Sequence, residues 1–158
     1  PVIQHRDEHG RVFSSQDPFI FEDSGRTFML TTTFREMHEN QGLHIYEATD
    51  ATLLSWIYRG PFFEKNSPCP NFFKVDANWI LLMPGPGRIT KYYIGRFDID
   101  QYRFESEREG ISAYTPLGNQ HVMNILLDAE RRPIVLGWMT CRKDYDQPGR
   151  NWAGCIVE

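Results

Sequence analysis

The side chains in this chain that could support chemistry are scattered instead of gathered in one motif. Three cysteines, Cys69, Cys141 and Cys155, form no Cys-x-x-Cys pair and have no histidine partner at the spacing of a zinc site. The five histidines show no metal-binding spacing either. We therefore expect no metal and no cofactor, and we interpret the cysteines as buried or free thiols. A disulfide between Cys141 and Cys155 stays open at this point.

One acidic residue stands apart because of its neighbours. Asp17 is followed by Pro18 and then by the apolar run 19–21. An Asp-Pro pair commonly opens a strand as a turn with no chemistry in it. A carboxylate in the same place can also belong to a functional site, and the residues by themselves leave both interpretations open.

Composition indicates a folded protein. With 41% hydrophobic and 14% aromatic residues the chain is too rich in core-forming side chains for intrinsic disorder. No segment approaches the roughly 20 apolar residues of a membrane span, so no membrane partner is expected. The formal charge of −4, with lysines and arginines spread along the chain, gives no basic stripe for nucleic acid. The first residues lack the pattern of a secretory signal, which fits a cytoplasmic protein and a processed secreted one alike.

Short apolar runs of strand length recur along the whole sequence. They are rich in aromatic and β-branched residues, and turn formers such as Asp23-Ser24-Gly25 and Asp76-Ala77-Asn78 separate them. A helical period of 3.6 residues is not sustained anywhere. The sequence therefore predicts an all-β fold with little or no helix.

The strand pattern repeats with a period of about 52 residues. Segment 17–30 matches segment 69–82, because each has a proline second, then a strand, an acidic turn and another strand. A third copy begins at His121 and places Asp128 where Asp76 lies in the second copy. Four strands in a unit of roughly 50 residues are typical of a β-propeller blade.

We predict that the chain is a single β-propeller segment of about two and a half to three four-stranded blades. Its expected parts are the end of a first blade at 1–16, blades at 17–65 and 66–115, and a partial blade at 116–158. A β-sandwich is the alternative, because its short strands and turns have similar spacing. Three blades or fewer leave open sheet edges, so we expect self-association or further blades to close the propeller.

Segments along nearly the whole chain carry a family resemblance. Segment 16–30 begins Gln-Asp-Pro and is similar to the Arg-Asp-Pro blade of the family 32 glycoside hydrolases, the invertases, inulinases and levanases. Segment 43–56 resembles that family's Leu-Tyr-x-Ser-x-Asp-Leu-x-x-Trp motif, and segment 68–75 resembles its Glu-Cys-Pro-Asp-Phe-Phe motif. Downstream, 132–139 and 149–154 resemble the Gly-Arg-Arg-Ile-x-x-Gly-Trp and Gly-Trp-x-Gly segments of the fourth blade.

The resemblance implies a five-bladed propeller with a sugar site at the axis, where the innermost strands converge. Family members are retaining enzymes with a carboxylate nucleophile, a general acid/base and a third acid that stabilises the transition state. The resemblance gives Asp17 the position of this third acid and gives substrate-binding positions to Gln16, Cys69, Asn71 and Asn124. It implies that the ligand is a fructoside or another carbohydrate.

The chain departs from the family where the two reacting carboxyl groups belong. Retaining hydrolysis needs these groups about 5 Å apart, and no segment matches the Asn-Asp-Pro-Asn-Gly type motif of the nucleophile. Pro68 occupies the acid/base position and has no titratable group. Glu64 lies four residues earlier, and a local deletion could bring it into the site, but we interpret it as a solvated loop carboxylate. Gln16 replaces the family's arginine, and Asn71 replaces an aspartate.

These departures favour a propeller segment of hydrolase ancestry that is inactive as an isolated chain. The alternative is a non-catalytic carbohydrate-binding or structural module that closes by self-association. A propeller family that acts on arabinosides is a weaker competitor, because the Cys-Pro-Asn-Phe-Phe sequence at 69–73 matches the fructosidases.

Overall fold

The computed structural model describes residues 5–6, 12–13, 15–33, 42–85, 89–112, 114–115, 118–130, 132–141 and 154–157. All regular structure in these residues is β-strand. This confirms the all-β prediction. Within the same residues, no helix has the length and hydrophobicity that crossing a bilayer requires.

The strands form one two-stranded sheet and three four-stranded sheets. The two-stranded sheet contains β1 (His5–Arg6) and β2 (Val12–Phe13). Sheet A contains β3 (Ser15–Asp23), β4 (Arg26–Thr33), β5 (Leu43–Ala48) and β6 (Trp56–Phe63). Sheet B contains β7 (Asn71–Val75), β8 (Asn78–Gly85), β9 (Ile89–Asp98) and β10 (Arg103–Ile111). Sheet C contains β11 (Tyr114–Thr115), β12 (Gly118–Leu127), β13 (Pro133–Cys141) and β14 (Gly154–Val157).

Each four-stranded sheet is a meander in which strands consecutive in the chain are neighbours in space. This is the arrangement of a propeller blade. The predicted blade boundaries stay a prediction, and one detail differs from them. Tyr114 and Thr115, placed by the repeat at the end of the blade at 66–115, pair with Asn119 and Gly118, so β11 belongs to sheet C.

Local turn chemistry explains why the first hairpin of sheet A is tight. Ser24 and Gly25 connect β3 to β4, and both have positive φ, at 50° and 74°. Positive φ at both central residues is the conformation of a type I′ turn, whose twist matches that of the strands it joins. In sheet B, Asp98 closes the turn after β9 because its carboxylate accepts the N–H groups of Asp100 and Gln101, each at 2.9 Å.

The chain divides into two compact units, one of residues 1–70 with 96–105 and one of residues 71–95 with 106–158. The core of the first unit lies between sheet A and the hairpin tip 96–105. The Phe97 ring lies 5.5 Å from that of Phe21 and 5.6 Å from that of Phe28, edge-on to both. Such aromatic contacts add to the free energy gained from apolar burial.

An ion cluster also attaches the hairpin tip to sheet A. Glu47 Oε1 accepts a bond from Arg26 Nε at 2.7 Å, and Oε2 lies 2.7 Å from Arg59 Nη2. The Tyr102 hydroxyl accepts a bond from Arg26 Nη2 at 2.8 Å and donates one to Glu47 Oε2 at 3.3 Å. The hydrogen bond from Arg26, followed by that from Arg59, lowers the pKa of Glu47 to about 2 against the opposing effect of burial.

In the second unit, stacked aromatic rings and a buried amide hold the strands. Phe72 of β7 stacks on Trp79 of β8 with ring centroids 4.6 Å apart, and Lys74 Nζ lies 5.6 Å from the Trp79 ring. Asn71, which is 4% exposed, donates from Nδ2 to the main-chain oxygen of Met123 at 2.6 Å. This bond joins β7 of sheet B to β12 of sheet C.

Candidate functional site

A β-bulge at the start of β3 positions the carboxylate of Asp17. Gln16 pairs with Thr32, and the next pair along the ladder is Phe19 with Leu30, so Asp17 and Pro18 are the irregular residues of β3. Pro18 has no N–H to lose from the ladder. Asp17 has a φ of 51°, in the left-handed region that residues with a Cβ atom rarely adopt.

The Asp17 side chain is half-buried and is held through one of its two oxygens. Oδ2 accepts the main-chain N–H of Cys69 at 3.3 Å. Among the residues that the structure describes, Oδ1 has no hydrogen-bond partner. The main chain beside Asp17 is also fixed, because the Thr32 hydroxyl donates to the carbonyl oxygen of Gln16 at 3.3 Å. One carboxylate oxygen therefore remains able to accept a hydrogen bond.

Cys69 has the same φ angle as Asp17 and lies 52 residues later. It also precedes a proline and has a φ of 51°. Its thiol is half-buried, and burial together with the nearby Asp17 carboxylate raises the pKa of this thiol. The side chain therefore remains a neutral thiol at pH 7.

The other three predicted site residues have contacts unlike those of Asp17 and Cys69. Gln16 is exposed and contributes its carbonyl oxygen to the bond from Thr32. Asn71 is buried, and its amide nitrogen joins two strands. Asn124 is exposed, and its Oδ1 accepts the N–H of Ile125 at 2.9 Å. The assignment of these three residues to substrate binding stays a prediction.

Pro68, which the resemblance places at the acid/base position, and Glu64, four residues earlier, lie on the surface. Pro68 and Glu64 are both exposed in the loop between β6 and β7. Within the described residues, no group of three or more histidine, cysteine, aspartate or glutamate side chains is arranged to hold a metal ion. The Asp17 carboxylate can accept a hydrogen bond from a polar ligand. Pro68 has no proton to donate, so it cannot act as a general acid.

Thr32, whose hydroxyl fixes the backbone beside Asp17, was not predicted from the sequence as a site residue. Thr32 is 1% exposed and belongs to the strand next to β3. A threonine within an apolar strand carries no distinctive signal, since β-branched residues are common there. The contact between Asp17 and Cys69 did have a signal, because the repeat places these residues at equivalent positions.

Comparisons with known proteins identify the family. The sequence model of the glycosyl hydrolases family 32 N-terminal domain matches residues 1–157. A search of curated proteins finds no match. The family match covers almost the whole chain and includes all the segments that carry the resemblance.

Solved structures show the same fold. The chain is similar to the Bombyx mori GH32 beta-fructofuranosidase BmSUC1, with a TM-score of 0.67 and 17% identity over 91% of this chain and 34% of that one. It is also similar to a GH43_1 enzyme from Xanthomonas citri, with a TM-score of 0.58 and 11% identity over 98% of this chain and 47% of that one. An endo-arabinase from Bacteroides thetaiotaomicron gives a TM-score of 0.52 and 17% identity over 79% of this chain and 45% of that one.

The chain spans about a third of the length of the silkworm enzyme. The three four-stranded meanders of this chain have the strand order of propeller blades. The chain belongs to glycosyl hydrolases family 32, as a member of its N-terminal domain, and its fold is a β-propeller segment.

Proposed function

We propose that this chain is a sugar-binding segment of a family 32 propeller and that it contacts hydroxyl groups of a β-fructoside through Asp17. The observation that carries the proposal is the Asp17 carboxylate, which Cys69 holds by Oδ2 while Oδ1 has no partner among the described residues. Carboxylate oxygens accept strong hydrogen bonds from hydroxyl groups. The name of the silkworm relative supports a fructoside as the ligand.

We propose further that the isolated chain does not hydrolyse the sugar. Retaining hydrolysis needs a nucleophile and an acid about 5 Å apart. Pro68 lies where the acid belongs, and no motif for the nucleophile is present in the sequence. A single carboxylate can orient and stabilise a sugar, but it cannot both attack the anomeric carbon and protonate the leaving oxygen.

A titration with fructose, sucrose and inulin, followed by NMR of the backbone amides, tests this proposal. We expect amide shifts at 16–19 and 69–71 on addition of sugar, and Asp17→Asn should weaken binding at least tenfold. Glu22→Gln is the matched control, because Glu22 is an exposed acid of the same strand. The same samples are assayed for released fructose.

Absence of sugar-dependent shifts in the wild-type protein would overturn sugar binding. Release of fructose that Asp17→Asn abolishes would instead overturn the inactive interpretation. A protein that binds sugar without releasing fructose is the result we expect.

A second proposed role is structural, through self-association that closes the propeller. Its support is the exposure of aliphatic side chains on two sheets. Ile20 of sheet A is 48% exposed, and Leu126 and Leu127 of sheet C are 51% and 52% exposed. When a second surface covers apolar side chains that are this exposed, the free energy of association becomes more favourable.

A further inference from the structure

Two residues with side chains share an unfavourable backbone conformation at equivalent places in the repeat. Asp17 and Cys69 both have a φ of 51°, and each precedes a proline. The left-handed region is disfavoured by the Cβ atom, and a following proline favours an extended conformation instead. Strained residues of this kind concentrate at functional sites, where surrounding contacts hold them in place.

The irregularity also recurs at the third copy of the repeat. In β12 the ladder shifts register between His121 and Met123, the position equivalent to the bulge around Asp17 in β3. An irregularity kept at the same place in different strands is a property of the blade and not an accident of one loop. Bulges are frequent next to binding and catalytic sites, where they redirect a side chain.

The hydrogen bond at Asp17 comes from the backbone of Cys69 and not from its thiol. The N–H of Cys69 lies two residues before the first residue of β7 and donates to Asp17 Oδ2 at 3.3 Å. A main-chain donor has no rotamer freedom once φ is fixed, whereas a thiol is a weak and freely rotating donor. The left-handed conformation of Cys69 therefore fixes where this donor points.

Thr32 restrains the main chain next to Asp17. Its hydroxyl donates to the carbonyl oxygen of Gln16, the residue directly before Asp17. Thr32 itself is almost completely buried in β4. Asp17 is thus held at its backbone by β4 and at its carboxylate by Cys69.

We propose that the main-chain N–H of Cys69, set by its left-handed backbone, is the positioning group that orients Asp17 so that Oδ1 accepts a hydroxyl group of the sugar. This inference rests on the proposed function and adds a role for Cys69 in which the thiol does not touch the ligand. Thr32 assists by fixing the main chain at Gln16.

Cys69→Val tests the role of the backbone. Valine keeps the N–H but is strongly disfavoured at positive φ because of its branched Cβ. We expect Cys69→Val to weaken fructose binding at least tenfold, and Cys69→Ser, which is unbranched, to restore affinity to within threefold of wild type. Ser24→Val is the matched control, because Ser24 has a φ of 50° in the turn after β3 and lies outside the site.

A second measurement follows the bond directly and does not depend on sugar. Asp17→Ala removes the acceptor, so the Cys69 amide should exchange with solvent at least tenfold faster. The carboxylate also helps to raise the pKa of the Cys69 thiol. Alkylation of Cys69, followed by peptide mass spectrometry, should therefore reach half of its maximal rate at a lower pH in Asp17→Ala.

The outcomes separate the two proposals. A folded Cys69→Val protein that binds fructose like wild type, or an unchanged Cys69 amide in Asp17→Ala, overturns the positioning role and leaves sugar binding intact. A wild-type protein that binds none of the sugars overturns the proposed function and the ligand role of Asp17 with it, even if the Cys69 amide is protected.

Discussion

The Glu47 carboxylate of β5 forms an ion pair with one arginine from each of the two strands beside β5, and these ion pairs keep the carboxylate charged. Arg26 and Arg59 each bond to a different carboxylate oxygen at 2.7 Å. Their side chains are 31% and 33% exposed, so solvent screens part of the attraction. The arrangement keeps Glu47 ionised at acid pH, because its pKa is lowered to about 2.

We predict that Glu47→Gln lowers the free energy of unfolding by about 1 to 2 kcal/mol at pH 7. A folded-state pKa below the unfolded value contributes stability that is complete above the unfolded value, near pH 4.5, and is lost as the pH falls toward 2. The difference between wild type and variant should thus be constant from pH 7 to about pH 5 and shrink below it. Urea unfolding at a series of pH values measures this difference.

The control for Glu47 is Glu22→Gln, which changes an exposed glutamate of sheet A. It should alter stability by less than about 0.5 kcal/mol at any of these pH values. A Glu47→Gln protein as stable as the control at pH 7 would contradict the ion cluster.

Position 42 requires a glycine because the backbone there lies too close to the backbone of Phe63 for a Cβ atom to fit. Gly42 has a φ of 151°, and a Cβ atom at this position would clash with the main-chain oxygen of Phe63. We predict that Gly42→Ala costs about 2 to 4 kcal/mol, because either the φ angle or the start of β5 must move. Thermal and urea unfolding give the comparison.

Gly60 provides the matched control for Gly42. Its φ is 128°, and a Cβ atom there would meet nothing within 4 Å. Gly60→Ala should therefore cost only the strain of the backbone, about 1 kcal/mol. Equal decreases in the free energy of unfolding for the two variants would show that the contact with Phe63 has no effect.

At the scale of elements, the hairpin tip 96–105 provides the second layer over sheet A. Phe97 lies at its centre, within 6 Å of the rings of Phe21, Phe28 and Phe62. A two-stranded hairpin is marginally stable by itself and needs another element to pack against. The tip and sheet A therefore bury each other's apolar side chains. Their stabilities should consequently be linked.

We predict that Phe97→Ala destabilises the first unit by about 2 to 3 kcal/mol, through lost burial and the cavity that remains. Hydrogen exchange should become faster at the tip and in β5 and β6 together. Glu105→Ala, which changes an exposed side chain of the same tip, is the control. Faster exchange confined to the tip would contradict the linkage.

At the scale of the whole molecule, the chain is shorter than the proteins whose fold it matches. It spans about a third of the silkworm enzyme. Leu126 and Leu127 are about half exposed on sheet C. Exposed apolar side chains favour association with a second surface that covers them.

We predict that the chain self-associates and that Leu126→Glu shifts it toward a monomer, because burying an unpaired carboxylate is costly. Light scattering coupled to size-exclusion chromatography measures the mass. Glu130→Gln, an exposed change in the turn after β12, should leave the mass unchanged. A wild-type monomer of 18.5 kDa at all concentrations would overturn the structural role.

The sequence by itself determined the fold class and the family. Strand-length apolar runs and turns such as Asp23-Ser24-Gly25 act on their near neighbours, so their pattern can be interpreted without knowledge of distant contacts. The order of the motifs, with Asp17-Pro18 before Cys69-Pro70, gave the resemblance that the family match supports. Pro68 led to the prediction that the acid is missing, because a proline has no proton to donate at any place in a fold.

Only the tertiary structure decided which residues meet. The bond from Cys69 to Asp17 spans 52 residues, and that from Arg26 to Tyr102 spans 76. Such contacts depend on how the strands pack and on which backbone angles are left-handed, and a residue type does not encode either property. The same reason explains why Asn71, predicted as a ligand residue, is found bonded to a distant main-chain oxygen.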